Sequence, residues 1–419
     1  MAVCAYEVLM RGQHVSGGAI GLGATERTRP ATDWRLVGLL IGAGLLAACQ
    51  VGKAAVSVPQ LRQDLGLGLA EASWVVGAYG ALGAATGLAA GALIARLSAR
   101  TALAAGLALI AIGSVSGAFA ASLAPLLGAR IVEGCGFLAV VIAAPAVLNR
   151  IAAPRDRNTC FAAWGTYMPL GTALMMMAGP ALMTSGWRPL WIVNGALAFA
   201  YAILILWALP RRESSAVPER RAGLLPSLAL VLAAPGPLLL ALAFGTYTFQ
   251  YFAMTALFPT LLVERMGLSI PEAGWLSALV VLANAVGNVS AGGLMRLGIP
   301  LWATAGAGFA AIGLFSVGVF SDLPTVWVCV FAAAALAVSG TIPASIFAAT
   351  PALAPAPYLI PITLGLIMQA SNLGQLLGPV ALAAWIERVS WSSGWAVFAL
   401  IGAAGLIIAA ALRVRLTRA

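Results

Sequence analysis

Charge is what this chain has least of. Only 9% of its 419 residues are Asp, Glu, Lys or Arg, while 62% are hydrophobic. A water-soluble globular chain carries about 25% charged residues, so this composition excludes one and points to hydrocarbon. Lysine occurs once, at Lys53, and histidine once, at His14 in a polar N-terminal stretch where it has no companion ligand. The five cysteines, Cys4, Cys49, Cys135, Cys160 and Cys329, stand singly. Without paired spacing they form neither a disulfide framework nor a metal site. No G-x-x-x-x-G-K-[ST] loop is present, so nucleotide is excluded as an energy source, and no cofactor is expected. The first 33 residues lack a continuous apolar core, which argues against a cleavable signal. Connecting loops are too short and too poor in acids and His for an integral membrane enzyme. No segment is long enough for the soluble output domain of a sensor, and no polar stripe runs along each span as a channel would need.

The charge that is present is unevenly placed. With the apolar runs read as spans, seventeen arginines fall on one side (11, 27, 29, 35, 96, 100, 150, 155, 157, 211, 212, 220, 221, 296, 413, 415 and 418), and four (62, 188, 265 and 388) on the other. The second side also holds Asp64, Glu71, Glu264, Glu272, Asp322 and Glu387. This is the positive-inside bias, so both termini are expected in the cytoplasm. The excess of positive charge is then a topology signal, and nucleic acid is not needed to explain it.

A spanning helix needs roughly 20 apolar residues. Twelve segments meet that length: 36–58, 72–94, 101–122, 125–148, 160–183, 190–210, 237–262, 273–295, 300–321, 325–348, 359–385 and 393–413. The sequence repeats itself across them. Gln50 to Trp74 reads QVGKAAVSVPQLRQDLGLGLAEASW, and Gln250 to Trp275 reads QYFAMTALFPTLLVERMGLSIPEAGW. Gln50 answers to Gln250, Pro59 to Pro259, Asp64 to Glu264, Glu71 to Glu272 and Trp74 to Trp275. Gly179-Pro180 answers to Gly378-Pro379 further on. A run of matches at nearly constant offset means two structural copies of about 200 residues. The expected organisation is a tail (1–34), a six-helix bundle (35–210), a linker (211–235), a second six-helix bundle (236–413) and a short tail (414–419). Span 2 carries Gly77, Gly80, Gly83, Gly87 and Gly91, small residues that permit close helix approach. They are read either as simple packing or as a sliding surface between the halves, with span 11 (Gly365, Gly374, Gly378) as the matching partner.

Twelve spans in two copies around a basic central loop resemble the major facilitator superfamily of secondary transporters. Gly91, Leu93, Arg96 and Arg100 fit that family's G-x-L-x-D-R-x-G-R-R gating loop, although Ala95 replaces its Asp and Ser98-Ala99 its Gly-Arg. Arg130-Ile131-Val132-Glu133-Gly134-Cys135-Gly136 is similar to its R-x-x-x-G-x-G element in span 4. Gly171 and Gly179-Pro180 in span 5 match part of a motif more frequent in exporters. The resemblance implies an all-α integral membrane fold of twelve helices in two pseudo-symmetric bundles, with spans 1 and 4 lining a common cavity.

An ionisable side chain inside a span costs roughly 2.5 to 3.5 kcal/mol on insertion scales, which makes each one a functional candidate. Three stand out: Lys53 in span 1, and Arg130 and Glu133 in span 4. On one reading Arg130 and Glu133, spaced i, i+3, neutralise each other while Lys53 reaches outer water. On the other, Glu133 takes and releases a proton while the two cations tune it or hold an anionic group. A carboxyl flanked by cations stays ionised until movement removes one of them, which would couple protonation to access. The second half offers neutral polar groups instead: Tyr247, Gln250 and Tyr251, Asn284 and Asn288, and Gln369, Asn372 and Gln375. With Gln50 and Lys53 they are candidate substrate contacts, interhelical hydrogen bonding being the plainer role. The resulting expectation is a monomeric secondary transporter of the inner membrane. Proton-coupled export of a drug-, metabolite- or siderophore-like solute is favoured, and proton-coupled uptake of a small anion (cyanate- or nitrate-like, or an organic acid) is the alternative.

Overall fold

A computed structural model of the chain describes residues 31–94, 97–210 and 224–417. Most of the predicted N-terminal tail with Cys4 and His14, Arg96 of the predicted gating loop, the linker segment 211–223 and the last two residues lie outside the described residues. Every regular element among the described residues is helical. In chain order these are α1 (Trp34–Leu65), α2 (Leu69–Gly77), α3 (Ala81–Ile94), α4 (Ala99–Ala118), α5 (Leu123–Ile151), α6 (Arg157–Gly165), α7 (Tyr167–Ala178) and α8 (Arg188–Ala208). After them come α9 (Leu224–Ala233), α10 (Pro235–Glu264), α11 (Ile270–Arg296), α12 (Leu301–Val319), α13 (Thr325–Ser339), α14 (Thr341–Leu353), α15 (Ile360–Arg388) and α16 (Trp395–Leu416).

Among the described residues, ten helical stretches are long and apolar enough to cross a membrane. The other two predicted spans, the second and fifth, are built from consecutive pieces. A 3₁₀ turn over Ala78–Gly80 joins α2 to α3, and one over Gly179–Leu182 follows α7. Glycine is the weakest helix former after proline, and Gly77 and Gly80 flank the first of these breaks. Part of the predicted linker is itself a helix: in α9, LLPSLALVLA, Ser227 and Val231 are buried one turn apart while Leu230 and Leu232 are exposed.

The duplicated turn is duplicated in detail. The chain leaves α1 and α10 through left-handed glycines, Gly66 at φ 64° and Gly267 at φ 70°, a conformation that side chains with a Cβ rarely adopt. It then re-enters a helix at Gly68 and at Ser269, whose backbone N–H groups donate to Glu71 Oε2 and Glu272 Oε2, each at 2.9 Å. The two acids before the turn have diverged. Asp64 Oδ2 accepts from Trp187 Nε1 (3.0 Å) and Arg188 Nη1 (2.6 Å) within the first half, whereas Glu264 pairs with Arg62 across the halves.

Packing follows the same repeat. In the first bundle α1 packs on α7, and α4 lies against α5 and α8; in the second α10 packs on α15, and α12 lies against α13 and α16. The bundles meet where α2 and α3 lie on α15, where α7 lies on α11, and where α1 lies on α10. Interchanging the halves turns the first of these contacts into the second, which is what a pseudo-twofold relation requires. The seam between the second span and α15 uses glycine as that span led one to expect. A Cβ at Gly77 would stand 2.4 Å from Leu376 O, and one at Gly80 2.8 Å from Asn372 O. The partner surface differs from expectation: Gly374 and Gly378 face α10, against Gly245 O and Phe249 O, so α15 meets the glycines of the second span with Gln369, Asn372 and Gln375.

Candidate functional site

Lys53, Arg130 and Glu133 form one cluster, fully enclosed at 0% exposure each. Lys53 Nζ donates to Glu133 Oε1 at 2.5 Å and to Ser114 Oγ at 2.7 Å. Its remaining side faces the Trp191 ring, 4.0 Å from the centroid. Arg130 Nη1 pairs with the other carboxylate oxygen, Glu133 Oε2. Its Nε donates to Val75 O at 2.7 Å, and the guanidinium lies 4.6 Å from the Tyr79 ring centroid. Lys53 therefore does not reach outer water; it grips the acid that Arg130 also grips. Two cations on one carboxylate leave a formal charge of +1 in the bundle interior, and Arg130 Nη2 is buried with no partner among the described residues.

Five helices place these groups. The acid and the arginine project from one face of α5 because they are three residues apart, and Gly113 on α4 gives Glu133 room: a Cβ there would stand 2.6 Å from Glu133 Cγ. Ser114 relays Lys53 to α8 by donating to Trp191 O at 2.7 Å. Trp191 Nε1 donates in turn to Ser57 Oγ at 3.2 Å, and Tyr79 is fixed by its hydroxyl on Ala47 O at 2.7 Å. Ser114, Trp191, Tyr79 and Ser57 were not singled out from the sequence. Serines and aromatics are ordinary in spans, and only the meeting of α1, the 3₁₀ turn after α2, α4, α5 and α8 gives these four a role.

Gln50 lies one turn from Lys53 and donates through Nε2 to Asn194 Oδ1 at 2.7 Å, while its Oε1 is buried with no partner among the described residues. The polar groups of the second half form a network of their own. Asn284 Nδ2 lies 3.1 Å from Tyr247 Oη and 3.0 Å from Leu336 O, and Asn288 Nδ2 lies 3.1 Å from Asn284 Oδ1. Tyr251 stacks on Tyr247 at 5.9 Å. The Tyr251 hydroxyl and both amide atoms of Gln250 are buried with no partner among the described residues. Gln369, Asn372 and Gln375 sit on the seam with the second span, where Gln369 Nε2 donates to Ala84 O at 3.0 Å. The structure thus brings the three charges together, and separately Tyr247, Asn284 and Asn288; among the described residues no hydrogen bond or ion pair joins the two sets.

At the face carrying the termini, Gly91 is within α3, and Arg100, in the first turn of α4, hydrogen-bonds Leu206 O. Arg100, Asp33 and Arg150 border a cavity of about 200 Å³. Gly179 abuts Leu190, Pro180 lies against Gly274 of α11, and Gly378 and Pro379 are buried in α15 against α10. No group of three or more His, Cys, Asp or Glu able to hold a metal occurs among the described residues.

Comparison with known proteins places this architecture. A bacterial homolog to human lysosomal transporter, Spinster, in inward-facing and occupied conformation superposes with a TM-score of 0.70 at 16% identity, covering 90% of this chain and 96% of that one. The 3-(3-hydroxy-phenyl)propionate transporter of Escherichia coli K12 is 26% identical over 275 residues, 65% of this chain and 68% of the relative. The methylenomycin A resistance protein of Bacillus subtilis 168 is 26% identical over 200 residues, 46% of this chain and 42% of the relative. Matches to the curated relatives span as little as 28% of a relative's length. The sequence model of the Major Facilitator Superfamily matches residues 40–359. With that match running through ten of the twelve predicted spans and with the two-bundle fold, the chain belongs to the major facilitator superfamily.

Proposed function

We propose that this chain is a secondary active transporter that moves a small organic solute across the inner membrane by alternating access, with proton coupling at Glu133. The observation that carries the coupling is the enclosed carboxylate held on one oxygen by Lys53 and on the other by Arg130. Protonating Glu133 in this arrangement removes both ion pairs and leaves two cations facing each other without a counter-charge. Such a state is strongly disfavoured in a closed interior. A proton therefore binds only with a rearrangement that separates the cations or admits water or an anion. Linkage makes the converse hold: a rearrangement that loosens the cations promotes protonation.

Both termini face the cytoplasm on this reading, from the seventeen-to-four distribution of loop arginines. The six-helix halves at 35–210 and 236–413 rock about their seam, and the protein works as a monomer without nucleotide. Gln50, Lys53, Tyr247, Gln250, Tyr251, Asn284, Asn288, Gln369, Asn372 and Gln375 are the groups available to a solute. Among them Gln250 and the Tyr251 hydroxyl have the most unused hydrogen-bonding capacity. Export is the favoured direction, supported by the Gly179-Pro180 motif and by the resistance named in the Bacillus relative. Proton-coupled uptake of a small anion, cyanate- or nitrate-like or an organic acid, is the second reading. It is supported by the +1 charge of the cluster and by the propionate derivative named in the Escherichia coli relative. Counterflow of candidate anions in vesicles, set against drug sensitivity of a deletion strain, separates the two. The coupling is tested in proteoliposomes under an imposed pH gradient with a solute panel, where Glu133→Gln is expected to abolish proton-driven flux.

A further inference from the structure

Gly68 and Ser269 occupy the same place in the two copies of the turn, as N-caps of α2 and α11. Ser269 supplies its own Oγ to the first turn of α11, accepting from Glu272 N at 3.4 Å. Gly68 has no side chain with which to do this. The first amides of α2 donate instead to a residue of the opposite bundle. Leu69 N and Ala70 N both donate to Glu387 Oε1, at the end of α15, the Ala70 contact measuring 3.2 Å. A Cβ on Gly68 would lie 2.8 Å from that same oxygen. The opening N–H groups of a helix need acceptors and carry the positive end of its dipole, so a carboxylate is well matched to them. On the same face Arg62 of α1 pairs with Glu264 of α10.

We infer that Glu387 is a positioning residue that clasps the two bundles together at the face bearing the duplicated turns, by capping α2 from across the seam. The missing side chain at Gly68 makes the start of α2 depend on the other bundle for its acceptor, whereas α11 is self-sufficient through Ser269. Because Glu387 is exposed, water replaces it when the face opens, and the clasp is reversible. The Arg62–Glu264 pair is partly exposed and adds less. Glu387 and Gly68 together set how readily this face parts, and this goes beyond the transport reading.

Hydrogen–deuterium exchange of the purified full chain in lipid nanodiscs tests the clasp with two variants. Glu387→Ala removes the acceptor. Gly68→Ser gives α2 its own cap and intrudes on the Glu387 oxygen. Both are expected to raise exchange severalfold in residues 54–62 and 255–263, the last turns of α1 and α10 before the duplicated turns. In Gly68→Ser the amides of residues 69–72 are expected to stay as protected as in the unmodified chain, separating parting of the bundles from fraying of α2. Unchanged exchange in 54–62 and 255–263 in both variants, or a rise confined to 69–72 in Glu387→Ala, would overturn the inference. Neither readout involves a solute or a proton, so this result and the coupling reading stand or fall separately.

Discussion

Lys53 and Glu133, eighty residues apart in the chain, meet at 2.5 Å in an interior that neither shares with solvent. Arg130 takes the remaining oxygen of the same carboxylate. One acid thus serves two bases and leaves the cluster at +1, so losing the acid and losing a base have different consequences.

Glu133→Gln leaves Lys53 and Arg130 buried together without a counter-charge. Breaking a buried pair by removing one partner costs about 3–5 kcal/mol, and a loss of that order is expected in the thermal unfolding of the detergent-purified protein. Adding Lys53→Met to that variant lowers the residual charge from +2 to +1 and is expected to restore part of the lost stability. A double variant no more stable than Glu133→Gln alone would show that the two cations do not repel each other once the acid is gone.

Arg130→Lys keeps the charge yet is not conservative here. The guanidinium serves Glu133, donates through Nε to Val75 O and stacks on Tyr79, three contacts that a point charge on a flexible stem does not reproduce. The expected penalty is about 1–3 kcal/mol, chiefly from the acceptor left unsatisfied and the lost stacking. Equal stability of the two proteins on thermal unfolding would contradict this.

Much of the fold was legible because its signals are cheap to read and hard to fake in an apolar chain. Hydrophobic runs of membrane length give the spans, and the Gln50–Trp74 echo at Gln250–Trp275 gives the duplication. The turn itself recurs down to left-handed Gly66 and Gly267. Lys53, Arg130 and Glu133 were visible for the same reason, since an ionisable group in hydrocarbon stands out. Ser114 and Trp191 were not, because their part depends on which helices adjoin. The glycines of the second span pointed to a close approach, but only packing revealed that Asn372 and Gln375, rather than Gly374 and Gly378, lie opposite them. The trans cap by Glu387 was hidden for a further reason: the repeat predicts likeness between halves, and this contact exists because Gly68 and Ser269 are unlike.

Gly77→Ala tests the closeness of that seam. The added methyl would stand 2.4 Å from Leu376 O, a backbone atom that cannot swing aside, so a loss of about 1–3 kcal/mol is expected. Gly128→Ala is the control: nothing lies within 4 Å of its Cβ position, and alanine favours helix by about 1 kcal/mol, so stability should hold or rise. The same melting assay reads both.

Asn284 joins three helices of the second half through Tyr247 of α10 and Leu336 O of α13. Interhelical hydrogen bonds in membranes are worth about 0.6 kcal/mol on average and up to about 1.7. Asn284→Ala is expected to lose roughly two such bonds and Tyr247→Phe about one. The order of their unfolding midpoints checks this, and the reverse order would contradict it.

The most direct measurement is proton movement itself, followed with a pH-sensitive dye trapped in proteoliposomes while a transported solute is added on one side. The chain with Glu133 intact is expected to carry protons with the solute, and Glu133→Gln to exchange solute across the membrane without displacing the dye signal. Solute-dependent proton movement that survives in Glu133→Gln would contradict the account.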